Sequence, residues 1–399
     1  MPTRAKRMPM AALLTLSFTI FVNITVEMLP MGLMLPMSRD LGVGEETIGL
    51  LVTVFAFTVV LTSTVLIWLT RRIPRHMLVI GVLIIFGLSS LAVAIAPGYW
   101  AIVAMRIVGG LAHGVFWAVV GSYAAYLVPK EALGRAVAIV NSGGSFAFVL
   151  GVPLATLLGQ VVGWRWTFAV FGLLSLIASV VVWRLLPRVD HLADDVVAQT
   201  GPVEVVPGDV PGRSTRRART LGPVVAAIVA VTLVMIGQYA VYTHITPYLV
   251  HQGGLPEVWL SPVLLIYGVL GAVAVLALSI WFGKRPTLEA IVCLAAIAVA
   301  MVVLVAVDVL PLVIGAVLLW GLAFGAVPPL LQTRMMQATP TRWLQQAMAW
   351  YTTGFNIGIG GGALLGTGII LAFGFGALPW ALAIGAVAAI VLMAATARR

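Results

Sequence analysis

Gly110-Leu111-Ala112-His113-Gly114 returns, with one substitution, as Gly321-Leu322-Ala323-Phe324-Gly325, an offset of 211 residues (321 − 110). The same offset carries Pro129, Leu133 and Ala136 onto Pro340, Leu344 and Ala347. It also pairs Gly143, Gly151 and Gly163 with Gly354, Gly362 and Gly374, and Pro36 with Pro247. One offset serving separated regions marks a duplicated chain. Both copies of the pentapeptide lie inside long apolar runs, so the duplicated unit is a set of hydrophobic segments. Repeats related by an axis along the membrane normal are a transporter architecture, with the substrate site between them near the midplane.

The composition fits that reading. Of 399 residues, 61% are hydrophobic and only 9% charged, and the mean hydropathy is +1.11. A soluble domain carries about 25% charged residues, and no globular protein can hide this much apolar surface from water. A span needs about 20 mainly apolar residues. The sequence predicts twelve, near 11–36, 47–70, 77–96, 99–123, 136–159, 166–186, 221–249, 259–282, 287–307, 310–333, 344–371 and 377–396. The expected fold is an all-α membrane protein of twelve helices in two pseudo-symmetric six-helix bundles. Residues 1–186 and 221–399 form the bundles, joined by a cytoplasmic linker over 187–220 that is rich in charge and in Pro187, Pro202, Pro207 and Pro211.

The net charge of +10 is a topology signal. With the N-terminus in the cytoplasm, all of the 23 Lys and Arg except Arg39, Arg106 and Arg165 fall on the cytoplasmic side. That asymmetry is the positive-inside rule; it predicts both termini in the cytoplasm and argues against nucleic acid as a partner. The single cysteine, Cys293, excludes a disulfide framework, and no metal or other cofactor is expected. The basic N-terminal residues Arg4, Lys6 and Arg7 precede an apolar run too long for a signal peptide, so an uncleaved first span is expected. No nucleophile–base pair or metal-ligand cluster points to an enzyme. A non-transporting sensor is the bland alternative, though the linker is too short and too polar to be a signalling domain.

Among the 13 acidic residues, Glu27 alone falls well inside a span. A carboxylate there costs a few kcal/mol and should face a cavity or a partner. Arg106 in span four lies at a similar depth, and a Glu27–Arg106 pair is expected. His113, seven residues on, shares nearly the same helix face two turns deeper. Glu27, Arg106 and His113 are the proton-coupling candidates. A fixed bridge between two helices, and a histidine merely hydrogen-bonded between helices, are the structural readings of the same residues. Asn23 and Met31 flank Glu27 on span one, and Trp117 continues the Arg106–His113 face. Asn141 and Ser145 in span five, Gln238, Tyr239 and Tyr242 in span seven, Trp320 and Phe324 in span ten, and Asn356 in span eleven complete the expected substrate lining. Amides, hydroxyls and aromatic faces suit an uncharged, partly polar solute. The aromatic residues could equally be lipid-facing anchors. The close-set Gly358, Gly360, Gly361 and Gly362 read as helix-packing positions, since no strand–loop–helix context for a phosphate loop exists.

Arg106-Ile107-Val108-Gly109-Gly110-Leu111-Ala112-His113-Gly114 resembles the span-four motif of the major facilitator superfamily. Gly151-Val152-Pro153 with Gly159 and Gly163-Trp164-Arg165 resembles its span-five antiporter motif, and Glu27-Met28-Leu29-Pro30-Met31-Gly32-Leu33 with Pro36 looks like span one of the twelve-span drug:proton antiporters. The nearest likeness is to the arabinose-efflux-permease-like branch of sugar, purine-nucleoside and drug exporters. The resemblance implies a monomeric, proton-coupled efflux antiporter of the bacterial inner membrane, associated with drug resistance in some members. Its cavity would be lined by spans one, four, seven and ten, and its partners would be protons, a small-molecule substrate and the lipid bilayer. Two departures stand out. Thr70-Arg71-Arg72-Ile73-Pro74-Arg75-His76 lacks the acidic residue of the family's gating loop, and Val152 separates Gly151 from Pro153. An uncoupled facilitator therefore remains the alternative to antiport.

Overall fold

The computed structural model describes residues 9–70, 72–128, 133–188, 222–280, 285–339 and 343–397. Almost all of them are helical. The first half comprises α1 (Met10–Gly32), α2 (Met34–Leu41), α3 (Glu45–Thr70), α4 (Arg75–Ala94), α5 (Tyr99–Leu127), α6 (Leu133–Val161) and α7 (Trp164–Leu185). The second comprises α8 (Gly222–Tyr242), α9 (Ile245–His251), α10 (Leu260–Ile280), α11 (Pro286–Ala306), α12 (Leu310–Ala338), α13 (Leu344–Phe373) and α14 (Leu378–Ala397). Among the described residues, twelve helices are long and apolar enough to cross a membrane. Most of the proposed linker, and the basic run Arg213 to Arg219, lie outside the described residues.

Two expected spans are each broken near one end. The run 11–36 divides at Leu33 into α1 and α2, and 221–249 divides at Thr243 and His244 into α8 and α9. Pro36 and Pro247, the residues paired by the sequence offset, sit in the first turns of α2 and α9. Proline has no N–H to give to a preceding turn, and a first helical turn needs none. Each proline therefore starts a new short helix where an uninterrupted span was expected.

The halves pack alike. α1 lies against α6 and α7 as α8 lies against α13 and α14; α5 packs on α3 and α4 as α12 packs on α10 and α11. The repeated glycines explain why the duplication is visible in sequence. A Cβ on Gly110 would come within 2.9 Å of Thr58 Cβ on α3, and one on Gly321 within 2.6 Å of the Tyr267 carbonyl on α10. Gly143 likewise abuts the Ser17 backbone on α1, and Gly354 abuts Thr232 on α8. In lipid, helix association depends on this kind of backbone approach. Gly163 and Gly374 have φ of 84° and 79°, a region that side chains avoid, and each turns the chain into the last segment of its half.

The halves meet chiefly where α3 packs on α13 and α6 on α10. Polar contacts between them gather at the end that carries α2 and α9. There Arg39 pairs with Glu257 and Gln160 donates to the Glu257 carbonyl. His251 Nε2 lies 2.9 Å from a Glu45 carboxylate oxygen. Thr246 donates to the Met31 carbonyl at 3.0 Å, and Ser261 to the Pro153 carbonyl at 2.9 Å. Arg39, outside the spans, holds its proton more tightly than usual because Glu257 accepts from it. The imidazole of His244 fills the seal between Gly49 of one half and Gly366 and Thr367 of the other.

Candidate functional site

Pro30 sets the geometry of the first-half site. Lacking an N–H, it leaves the carbonyl of Val26, four residues earlier, without its helical donor. Arg106 supplies that donor from α5: Nη1 donates to Val26 O at 3.2 Å and Nη2 to Glu27 O at 2.9 Å. A longer contact of 3.5 Å runs from Nε to Leu51 O on α3. The guanidinium carbon stands 4.2 Å from the centre of the Phe55 ring, a cation–π arrangement. Arg106 is buried, and three of its five N–H donors reach main-chain carbonyls.

The expected Glu27–Arg106 pair takes another form: the two side chains interact through charge, without a direct carboxylate bridge. Arg106 bonds the main-chain carbonyl of Glu27, and the Glu27 carboxylate stands beside His113, with Oε2 3.6 Å from Nε2. Depth alone could not separate these outcomes, because the decisive acceptor is a carbonyl freed by proline. The same His113 Nε2 accepts the Trp117 indole N–H at 2.8 Å. An indole nitrogen only donates, so Nε2 is the acceptor and the ring proton belongs on Nδ1. That Nδ1 is buried without a hydrogen-bond partner among the described residues. Phe55 and Phe86 close around the imidazole at centroid distances of 5.2 and 6.2 Å. The site is thus a carboxylate and a proton donor, Trp117, arranged around one nitrogen lone pair.

Asn23 lies one helical turn from Glu27 on α1, with solvent exposure of 0%. Neither its amide nitrogen nor its oxygen has a partner among the described residues. A buried amide left unpaired is costly and marks a place where another group belongs. Met31 is buried in the same helix. Trp117 is 38% exposed, so its indole reaches from the buried histidine to an accessible surface.

The second half presents a cage. Gln238 on α8 accepts from the Trp320 indole at 2.7 Å and donates from Nε2 to the Tyr267 oxygen at 3.0 Å. Tyr242 stacks on Tyr267 at 5.4 Å and meets Trp320 edge-on at 6.1 Å. Tyr239, also on α8, lies within electrostatic reach of Glu27 across the seam. Gln238, Tyr242, Tyr267 and Trp320 therefore come together, and all four are buried, as is Tyr239 next to Gln238 on α8.

Phe324 is half-buried against the α12 side of the core. Ser145 is exposed on α6, and Asn356 is half-buried on α13 with its amide donating to Thr352 O at 2.9 Å. Asn141 falls on α6, but its side chain is outside the described residues. Tyr267 and Phe55 were not among the expected site residues. Tyr267 had one available signal: it is a hydroxyl-bearing aromatic in the middle of the apolar run 260–280, four residues from both Gly271 and Val263.

Comparison with known proteins adds to this geometry. The family model described as Major Facilitator Superfamily matches residues 16–359. A probable sugar efflux transporter of Pasteurella multocida is 28% identical over 390 residues, covering 97% of this chain and 92% of that protein. The probable sugar efflux transporters of Mannheimia succiniciproducens and Helicobacter pylori are likewise 28% identical, over 359 and 368 residues; each match covers 90% of this chain, and 86% and 88% of the relatives. Among solved structures, a bacterial homolog of the human lysosomal transporter Spinster, inward-facing and occupied, superposes with a TM-score of 0.70 at 14% identity, covering 99% of this chain and 96% of that one. A variant of the peptide transporter POT in complex with alafosfalin gives 0.72 at 16% identity, covering 97% and 94%. At such identities the structures speak for the fold alone.

Proposed function

The chain belongs to the major facilitator superfamily, and from that premise we propose that it is a proton-coupled exporter of sugars working by alternating access. It is a transporter and not an enzyme. The sugar reading is supported by the full-length relatives named as sugar efflux transporters. It is supported too by a lining of amide, hydroxyl and aromatic groups, which favours an uncharged polyol over a cationic drug. Purine nucleosides share much of that chemistry and are the closest competitors.

The observation that carries proton coupling is the shared lone pair of His113. Ionised Glu27 is an acceptor for sugar hydroxyls. Protonated, its shortest route to a partner is His113 Nε2, 3.6 Å away. That bond requires the Trp117 N–H to leave the nitrogen. Proton and sugar thus compete for one carboxylate, and the competition is transmitted to an indole at the accessible surface. Competition for one site, with access alternating between the two sides, is the minimal logic of antiport. Arg106 holds α1 and α5 in register around this site and takes no proton.

The positive-inside distribution puts the sealed end, with α2 and α9, outside, and both termini in the cytoplasm of a bacterial inner membrane. One chain contains both halves of the site, so a monomer is the functional unit. In inverted membrane vesicles an imposed proton gradient should drive sugar accumulation, and a protonophore should abolish it. Accumulation that follows the sugar gradient alone, indifferent to the protonophore, would establish an uncoupled facilitator.

A further inference from the structure

The polarity of the cage around Gln238 follows from donor and acceptor types alone. The Trp320 indole can only donate, so the atom 2.7 Å from it must be the Gln238 oxygen. A flipped amide would set N–H against N–H. With the oxygen fixed, the Gln238 nitrogen faces the Tyr267 hydroxyl at 3.0 Å and donates to it. The phenol oxygen is then the acceptor, and its own proton is left over. Among the described residues nothing accepts it. The ring that carries this proton is held on three sides: Tyr242 stacks on one face at 26°, Trp320 meets the ring at 72° with centroids 5.1 Å apart, and Gly321 backs onto it closely enough that a Cβ would stand 2.7 Å from the ring. The hydroxyl has little freedom to seek an acceptor elsewhere. Trp320, Gln238 and Tyr267, on α12, α8 and α10 of the second half, form a one-way chain of donors whose last proton is unspent among the described residues.

We propose that Tyr267 is the specificity-determining residue of the second half: its unspent hydroxyl proton is donated to one hydroxyl oxygen of the transported sugar. This rests on the sugar-export reading above. It also divides the labour of recognition. Glu27 accepts hydrogen bonds from the sugar on one side of the seam, and Tyr267 gives one on the other, so a solute must offer both a donor and an acceptor to span them. Hydroxyl groups do both, whereas an aliphatic cation offers only donors. Gln238 and Trp320 act through Tyr267: they set the direction of its proton.

The test uses the full-length protein in nanodiscs and isothermal calorimetry with a panel of unmodified mono- and disaccharides. The tightest binder is then compared with its singly deoxygenated analogues. Wild type should lose about tenfold in affinity when one particular hydroxyl is removed. Tyr267→Phe should weaken the parent sugar by a similar factor and leave that one analogue unaffected, so that the discrimination disappears as in a double-mutant cycle. Gln238→Glu should do the same while keeping the phenol, because a carboxylate accepts from both Trp320 and Tyr267 and consumes the spare proton. If Tyr267→Phe binds sugar but keeps the full wild-type pattern of discrimination, the assignment of Tyr267 is overturned and the sugar reading stands. If wild type binds no sugar in the panel, the sugar reading fails and the inference falls with it.

Discussion

Arg106 completes α1 where Pro30 leaves it incomplete: its Nη1 donates at 3.2 Å to the Val26 carbonyl that proline deprives of a helical partner. A cation buried among Phe55 and main-chain carbonyls is therefore a splice between two helices. The relationship can be measured as a coupling. Arg106→Leu alone leaves acceptors unsatisfied in a buried site and should destabilise by about 1–3 kcal/mol. Pro30→Ala restores an N–H to Val26 O, so the double variant should lose less than the sum of the two single losses, by about 1 kcal/mol. Thermal unfolding of the four proteins in detergent provides the cycle, and strict additivity would show that the two residues act independently.

The seal depends on Gly49. A Cβ there would overlap the His244 imidazole that fills the gap between the halves. Gly49→Ala should force the sealed end apart without touching Glu27 or the Gln238 cage. With Cys293 replaced by Ser, the buried Thr246→Cys should become severalfold more reactive to an impermeant maleimide in the Gly49→Ala background. Adding His244→Ala should return it towards the wild-type rate, because the overlap is gone. Labelling that rises with His244→Ala and not with Gly49→Ala would reverse the assignment.

The duplicated glycines make a prediction about symmetry. Gly110→Ala and Gly321→Ala each press a methyl group into the facing helix and should each lower stability by about 1–3 kcal/mol. Gly81 lies in α4 with open space where its Cβ would be. Gly81→Ala should therefore be neutral or stabilise by up to about 1 kcal/mol, through helix propensity alone. Equal losses at all three positions would mean that close packing is not what the repeat preserves.

The bundles, the span count and the repeat were legible because each depends on period, length and small residues. The repeated glycines sit at helix contacts or tight turns, so the offset that reveals the duplication is a map of packing. The breaks at Leu33 and His244 were missed although Pro36 and Pro247 were visible, because proline in a first helical turn looks the same as proline inside a span. For the candidate site, residue type and depth single out Glu27 and His113, and the repeat offset singles out Gln238, but none of these says who holds whom. Arg106 was expected on the Glu27 carboxylate and bonds its carbonyl, a choice made by a backbone vacancy that sequence charge does not record. Tyr267 is uncharged and lies in an apolar run on α10, outside the four spans that the resemblance implies line the cavity, and its hydroxyl acquires meaning only beside Gln238.

On the proposed mechanism one carboxylate, Glu27, serves proton and sugar in turn. The most direct test compares two fluxes in the same proteoliposomes, sugar exchange at equal pH and sugar-driven proton movement reported by an internal pH dye, for wild type and Glu27→Gln. The amide can still hold sugar hydroxyls but cannot take a proton at working pH. The account predicts that Glu27→Gln retains exchange and loses proton movement. Proton movement undiminished in Glu27→Gln, with exchange intact, would contradict it and leave Glu27 a structural residue.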